Sequence, residues 1–408
     1  MLCRNCEAPL ELVLVDLGSA PLSNDYLTTE TLRQPELWFP LRVLVCERCW
    51  LVQAEAYSHP TEIFSEEYAY FSSFSDVWMA HAKKYVDDVS TEFGLDRGSF
   101  VVEVASNDGY LLKNFVHAGV PCLGIEPTAS TAAAATAVGV PTLERFFGVG
   151  LSAEIIKSHR QADLIVANNV LAHVQEPHDF LAGIRLLLAE SGVATFEFPH
   201  LRNLIQQNQF DTIYHEHFSY FSFTAAVDLM ARSGLDVFRV QEISTHGGSL
   251  RVFAQRADPG ARNADTSVSD LLEREREAEM LSPDFYRGFQ EHANAVKNDF
   301  LQFLLSAAAD GKNVAGYGAA AKGNTLLNFA GVGRDLISFV VDRNPAKQGK
   351  FLPGSRIPIV NETVLVDIRP DYIVILPWNL KAEVLEQLDY AKSWGAKFVN
   401  AVPRLEIT

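Results

Sequence analysis

Phe100-Val101-Val102-Glu103-Val104-Ala105-Ser106-Asn107-Asp108-Gly109-Tyr110-Leu111-Leu112 is the stretch that decides the fold. Its apolar, β-branched opening suits a strand buried on both faces of a parallel sheet. Asn107-Asp108-Gly109 supplies a tight turn, and Gly109 lets backbone approach a ligand. Tyr110-Leu111-Leu112 then opens a helix. A second apolar strand at 122–125 ends in Glu126, roughly 20 residues past the first loop, where α/β nucleotide-binding folds grip ribose hydroxyls. Strands at 162–167 and 192–199, a helix at 224–233 and a strand pair at 236–243 and 248–255 continue the alternation. The order predicts a mostly parallel sheet with an antiparallel strand at its end.

The first loop does not read Gly-x-Gly-x-x-Gly. It carries Glu103, Ser106, Asn107 and Asp108 before Gly109. A dinucleotide pyrophosphate is repelled by such a loop, whereas a cationic ligand without phosphate is attracted. S-adenosylmethionine, with a sulfonium and an ammonium, fits better than NAD. The candidate cofactor residues are Glu103, Ser106, Asn107, Asp108, Gly109, Glu126, Pro127, Asn168 and Asn169, the last two at the end of the 162–167 strand.

Ile213-Tyr214-His215-Glu216-His217-Phe218-Ser219-Tyr220-Phe221-Ser222 follows in a region with few helix or strand signals. Two histidines, a glutamate and two tyrosines among aromatics suit a partly dry cleft for acid–base work; the plainer reading is an aromatic loop with its polar atoms satisfied. Ligands in open α/β sheets sit at the carboxyl ends of strands. Residues 103–109, Glu126, 168–173 and this loop all fall on that edge.

A second α/β unit begins at Asn313-Val314-Ala315-Gly316-Tyr317-Gly318-Ala319-Ala320-Ala321-Lys322-Gly323-Asn324-Thr325. Strand, small-residue loop and helix N-terminus make an anion cradle, or else allow close helix–strand packing. Lys322 adds positive charge, and no Walker pattern is present. Strands at 338–342 and 372–376 place Asp342 and Trp378 at strand ends, within reach of a base or sugar. Residues 265–310 between the units are helical in period, with charges expected on a solvated face.

The chain has 408 residues and a net charge of −17. That charge argues against nucleic acid and anionic membranes as partners. No run is long and apolar enough to span a bilayer, and no signal peptide is recognisable, so the cytoplasm is expected. Cys122 lies in an apolar strand and reads as core. The other four cysteines form two pairs, Cys3-x-x-Cys6 and Cys46-x-x-Cys49. In a reducing compartment this pattern reads as structural tetrahedral zinc, against free thiols or a redox pair. Four thiolates leave no open position for chemistry. The expected domains are a zinc module at 1–65, a Rossmann-like methyltransferase domain at 66–264 and a second Rossmann-like α/β domain at 265–408.

Taken in order, the double Cys-x-x-Cys, Glu-Val-Ala-Ser-Asn-Asp-Gly-Tyr-Leu-Leu, Asn-Asn-Val-Leu-Ala-His-Val, Tyr-His-Glu-His-Phe-Ser-Tyr, Gly-Gly-Ser-Leu-Arg and Tyr-Gly-Ala-Ala-Ala-Lys-Gly-Asn-Thr resemble the sugar C-methyltransferases of deoxysugar biosynthesis. The resemblance covers nearly the whole chain. It implies a class I S-adenosylmethionine-dependent methyltransferase fold in the middle domain. It implies a nucleotide-linked 4-keto-deoxysugar substrate, often dTDP-linked, methylated at C-3′, with the nucleotide held by the C-terminal domain. It further implies that His217 is the general base, with Glu216, Tyr214 and His173 beside it and a tyrosine from the domain junction, Tyr68 or Tyr70. His215, Lys322, Asn324, Thr325, Asp342 and Trp378 are the candidate substrate-binding residues. Removing a proton beside a ketone needs a base near neutral pKa and donors for the developing enolate oxygen, which suits these residue types. O- or N-methylation of a sugar or other small molecule on the same scaffold is the competing expectation. Three contiguous domains can complete a site within one chain, as a monomer.

Overall fold

A computed structural model describes residues 1–57 and 71–408, which build three sheets. Tyr68 and Tyr70 lie outside the described residues. The first sheet is antiparallel: β1 (Leu12–Ala20), β2 (Phe39–Val45) and β3 (Val52–Ala54). Successive side chains of a strand point to opposite faces. Along β2, Leu41, Val43 and Val45 enter a core shared with Leu326 and Val374 of the C-terminal domain. Leu44 enters another, shared with Phe221 and Phe223 of the middle domain. Each fully buried Val or Leu contributes about 1.5–3 kcal/mol. The module is therefore wedged between two larger cores and does not depend on a metal staple alone.

The middle domain carries β4 (Val101–Val104), β5 (Cys122–Ile125), β6 (Thr142–Leu143), β7 (Ala162–Asn168), β8 (Leu188–Pro199), β9 (Ser219–Tyr220), β10 (Leu235–Ile243) and β11 (Ser249–Arg256). Seven of these form one sheet in the order β10-β11-β8-β7-β4-β5-β6. Its described pairings are parallel except those of β11, which runs against both neighbours. The chain starts at β4, moves out to β6, then crosses back to β7. The switch point lies between β4 and β7, and their following loops open on the carboxyl edge. β9 leaves this sheet altogether. It pairs with β3, Val52 against Tyr220 and Gln53 against Ser219, and becomes the fourth strand of the N-terminal sheet.

Gly109 has φ +76°, and a Cβ there would lie 3.0 Å from a Val140 methyl and 3.2 Å from the Ala135 Cα. The close approach it permits within the protein is between this loop and the helix that carries Ala135.

Helices Thr266–Glu277, Pro283–Tyr286 and Phe289–Ala309 lead to the last domain. Their charges are not all solvated. The Glu275 carboxylate is buried and accepts from His200 Nε2, the Phe223 and Thr224 amides and the Thr224 hydroxyl, all at 2.7–2.8 Å. It caps helix Phe223–Arg232 from a neighbouring element. The final sheet contains β12 (Val314–Tyr317), β13 (Val340–Val341), β14 (Ile359–Val360), β15 (Tyr372–Ile375), β16 (Lys397–Asn400) and β17 (Glu406–Ile407). Its order is β14-β13-β12-β15-β16-β17, parallel save for β17. No described helix is long and apolar enough to cross a membrane.

Candidate active site and metal centre

Cys3, Cys6, Cys46 and Cys49 meet in space, their sulfurs all within 4.8 Å of one another. The closest pairs, Cys3 with Cys49 and Cys6 with Cys46, are 3.5 Å apart. Tetrahedral zinc with bonds near 2.3 Å sets its sulfurs about 3.8 Å apart, so the four thiolates fit the ion. Gln53 donates an amide hydrogen to Cys3 Sγ at 3.3 Å. Bound there, zinc supplies structural coordination only.

One cavity of about 580 Å³ opens at the carboxyl edge of the middle sheet. Asn107, Glu126, Pro127, Asn168 and Asn169 line one end. His173, Tyr214, Glu216 and His217 line the middle, and Ala320, Ala321, Lys322 and Lys347 close it from the C-terminal domain. Asn24 reaches in from the N-terminal module. The four sequence signals on this edge therefore share one space, and a single chain contributes to it from all three domains. Ala105, Asn107, Asn169 and His246 line it with φ between +49° and +57°. Such costly backbone among non-glycine residues concentrates at functional sites.

At the first end, Glu126 accepts the amides of Asn107 and Thr128 at 2.9 and 3.0 Å, one on each oxygen. Asn168 Oδ1 is buried without a hydrogen-bond partner among the described residues, an acceptor in the cavity wall. Glu103, Ser106, Asp108 and Gly109 are buried behind the lining. Burial, followed by the charges of Asp108 and Glu126, raises the Glu103 carboxyl well above the carboxylate range. Asn107 Oδ1 and Asp108 Oδ2 accept the amides of Ser72 and Ser73 at 2.9 and 3.0 Å, tying the loop to the entry of helix Asp76–Phe93.

In the middle, His217 Nδ1 meets the Thr212 carbonyl at 2.8 Å. That bond requires the proton on Nδ1 and leaves the Nε2 lone pair available. The His217 ring lies 4.0 Å from the Tyr214 ring and 4.7 Å from that of His173, edge to face. Burial pushes His217 well below the ordinary histidine range, and His173 pushes it further. Burial also lowers His173 to about 4. Glu216 Oε1 accepts from Asn24 Nδ2 at 2.7 Å.

The remaining candidates hold the site from behind. His215 Nε2 lies 3.2 Å from the Phe39 and Pro40 carbonyls. Thr325 donates to the Ile213 carbonyl at 2.8 Å, and Asn324 to that of Ser23 at 2.6 Å. Asp342 accepts the Ala319 amide at 2.8 Å. Trp378 Nε1 donates to Asp211 Oδ2 at 2.8 Å. None of these five lines the cavity; Lys322 does, with its ammonium 4.8 Å above the Trp378 ring and 2.7 Å from Asn379 Oδ1.

Asn24, Asp211, His246 and Lys347 escape the sequence reading. Asp211 is buried beneath the histidine loop, and burial pushes its carboxyl up to about 7. His246 is lowered to about 4 by burial and then by Lys322. Its loop passes under Trp378 because Gly247 has φ +86° and no Cβ, which would sit 2.5 Å from that ring. Only the Gly247-Gly248 pair hinted at this crossing.

Sheet order, carboxyl-edge cavity and four-cysteine module together define an S-adenosylmethionine-type methyltransferase with a zinc-binding appendage. Family models agree along the chain: a zinc-binding domain over residues 3–64, a methyltransferase domain over 78–240 and a C-methyltransferase C-terminal domain over 244–403. The chain is 37% identical over 403 residues to C-methyltransferase NovU of Streptomyces niveus, covering 98% of this chain and 95% of that one. It belongs to this C-methyltransferase family. Among solved structures it is similar to magnesium protoporphyrin IX methyltransferase from Synechocystis PCC 6803 with bound SAM, at 14% identity and TM-score 0.33 over 44% of this chain and 82% of that one. It is also similar to an S-adenosylmethionine-dependent methyltransferase from Clostridium acetobutylicum ATCC 824, at 10% identity and TM-score 0.36 over 44% of this chain and 93% of that one.

Proposed function

We propose that this enzyme methylates carbon C-3′ of a nucleotide-linked 4-keto-deoxysugar, most simply a dTDP sugar. The observation that carries the reading is the bond of His217 Nδ1 to the Thr212 carbonyl, which leaves Nε2 of this cavity-lining histidine to act as the base. Its depressed pKa keeps it unprotonated at neutral pH. Glu126 and Asn168 hold the adenosyl end of S-adenosylmethionine. The bound cofactor supplies an electrophilic methyl group.

His217 Nε2 takes the C-3′ proton, and the electron pair of that bond moves into the ring carbon and the ketone oxygen. Tyr214 and His173 lie beside the base, where a donor can meet the enolate oxygen. Glu216, held by Asn24, takes a sugar hydroxyl or amine. Lys322, Lys347 and the start of helix Ala321–Ala330 favour the diphosphate. Simple O- or N-transfer has no need of a base that abstracts a proton from carbon.

The test is incubation of a dTDP-4-keto-6-deoxysugar with enzyme and S-adenosylmethionine, followed by mass spectrometry and proton NMR. A product one methyl heavier, with the methyl on carbon beside the ketone, is expected. In D₂O with S-adenosylhomocysteine, the C-3′ proton should wash out. Methyl on oxygen or nitrogen would overturn the reading.

A further inference from the structure

Residues 215–220 belong to the methyltransferase domain by sequence, yet the N-terminal module holds most of them. Carbonyls of Phe39 and Pro40 receive His215, and Asn24 holds Glu216. Ser219 and Tyr220 pair with β3. Phe218 is gripped most heavily: its carbonyl accepts the Ala54 amide at 3.1 Å and Arg4 Nη1 at 2.8 Å. Arg4 Nη2 also donates to the Ala54 carbonyl at 2.8 Å. One guanidinium thus bridges β3 and the residue after His217.

Arg4 sits between two thiolates of the Cys3-x-x-Cys6 knuckle. Its amide donates to Gln53 Oε1 at 3.0 Å, and the same Gln53 side chain donates to Cys3 Sγ. A path of four residues runs from the sulfur cluster to the loop: Cys3, Gln53, Arg4, Phe218. From the middle domain, the Ala172 carbonyl accepts the Phe218 amide at 2.8 Å. Phe218 is therefore pinned from both sides, with His217 next to it.

We infer that Arg4 is a positioning residue, through which the four-cysteine cluster fixes the placement of His217 over the cofactor domain. The module then serves the reaction by geometry, without touching substrate through the metal. The inference rests on His217 being the base for its effect on turnover, but not for its effect on the loop. Charge-assisted bonds to backbone carbonyls are the strong class, and a buried carbonyl stripped of one is penalised. Because near-attack geometry tolerates little displacement, releasing the loop should cost turnover more than binding.

The experiment compares wild type, Arg4→Met and Arg4→Lys at verified zinc content. Hydrogen exchange of the peptide covering 213–221 should quicken about tenfold or more in Arg4→Met, as expected when a charge-assisted hydrogen bond is lost. Peptides covering 101–125 should exchange as in wild type. Titration calorimetry should show unchanged S-adenosylmethionine affinity, while kcat falls at least about tenfold. Arg4→Lys, with charge but no fork, should fall between the two. If Arg4→Met loses the metal, Arg4→Lys carries the comparison alone. Wild-type exchange and wild-type kcat in a zinc-loaded variant would overturn the inference. Quickened exchange in a protein that proves not to methylate carbon would leave the inference standing and remove the proposed function.

Discussion

At the scale of single residues, the proposed chemistry centres on His217. Its ring is oriented by a backbone carbonyl, flanked by Tyr214 and His173, and held neutral by burial. His217→Asn should reduce kcat by at least about a thousandfold, within the range that placed general bases contribute. S-adenosylmethionine affinity should stay within about threefold of wild type by calorimetry, because the proposed cofactor end of the cavity is built from other residues. Parallel loss of binding would make the histidine a structural one. The pH dependence has a definite sign. A base works unprotonated, and a lowered pKa delays protonation to more acidic solution. The acid limb of kcat/KM should therefore fall below the ordinary histidine value of about 6.5. A limb above that value would mean the cavity stabilises imidazolium.

At the scale of elements, two joints carry the site. The first is the strand–loop–helix of residues 101–118, which depends on Gly109. A methyl group there meets Val140 and Ala135, and φ is +76°. Gly109→Ala should destabilise the protein by about 1–3 kcal/mol, read as a lowered urea midpoint, and weaken S-adenosylmethionine binding. An unchanged midpoint would show that the loop can shift at no cost. The second is helix Ala321–Ala330, whose Thr325 hydroxyl reaches the Ile213 carbonyl at the base of the histidine loop. Thr325→Val strands that buried carbonyl, at a cost of about 1–3 kcal/mol. It should lower kcat while sparing cofactor affinity. Equal loss of both would place its effect outside the loop.

Across the whole molecule, the cavity exists only because three domains converge. One face of the N-terminal sheet enters the core shared with the C-terminal domain, and Leu44 from the other enters the core of the middle domain. Zinc should measure one per chain. Chelation or Cys46→Ser should release the two cysteine knuckles but not the sheet, whose apolar face stays buried on the core it shares with the C-terminal domain. Hydrogen exchange should therefore quicken over 1–10 and 46–51 and much less over 39–45. Uniform exchange across the whole module would mean that the metal alone keeps it folded.

The strand–loop–helix units, the cysteine pairs and the histidine loop were legible because each is local. β-branched runs, turn residues and ligand spacing act over a few neighbours, so the sequence alone sufficed for β4, β5 and the candidate residues on one sheet edge. The positions of His215, Asn324, Thr325, Asp342 and Trp378 behind the cavity were not legible, since their partners lie 23 to 301 positions away. Nor did a charged helical period reveal Glu275 as a buried cap. The sharpest case is β9: two residues show no strand pattern by themselves and become a strand only when β3 offers them its edge. Local propensity determined which pieces this chain contains. Tertiary structure alone decided which piece holds which, because hydrogen bonds and burial between distant segments have no periodicity along the chain.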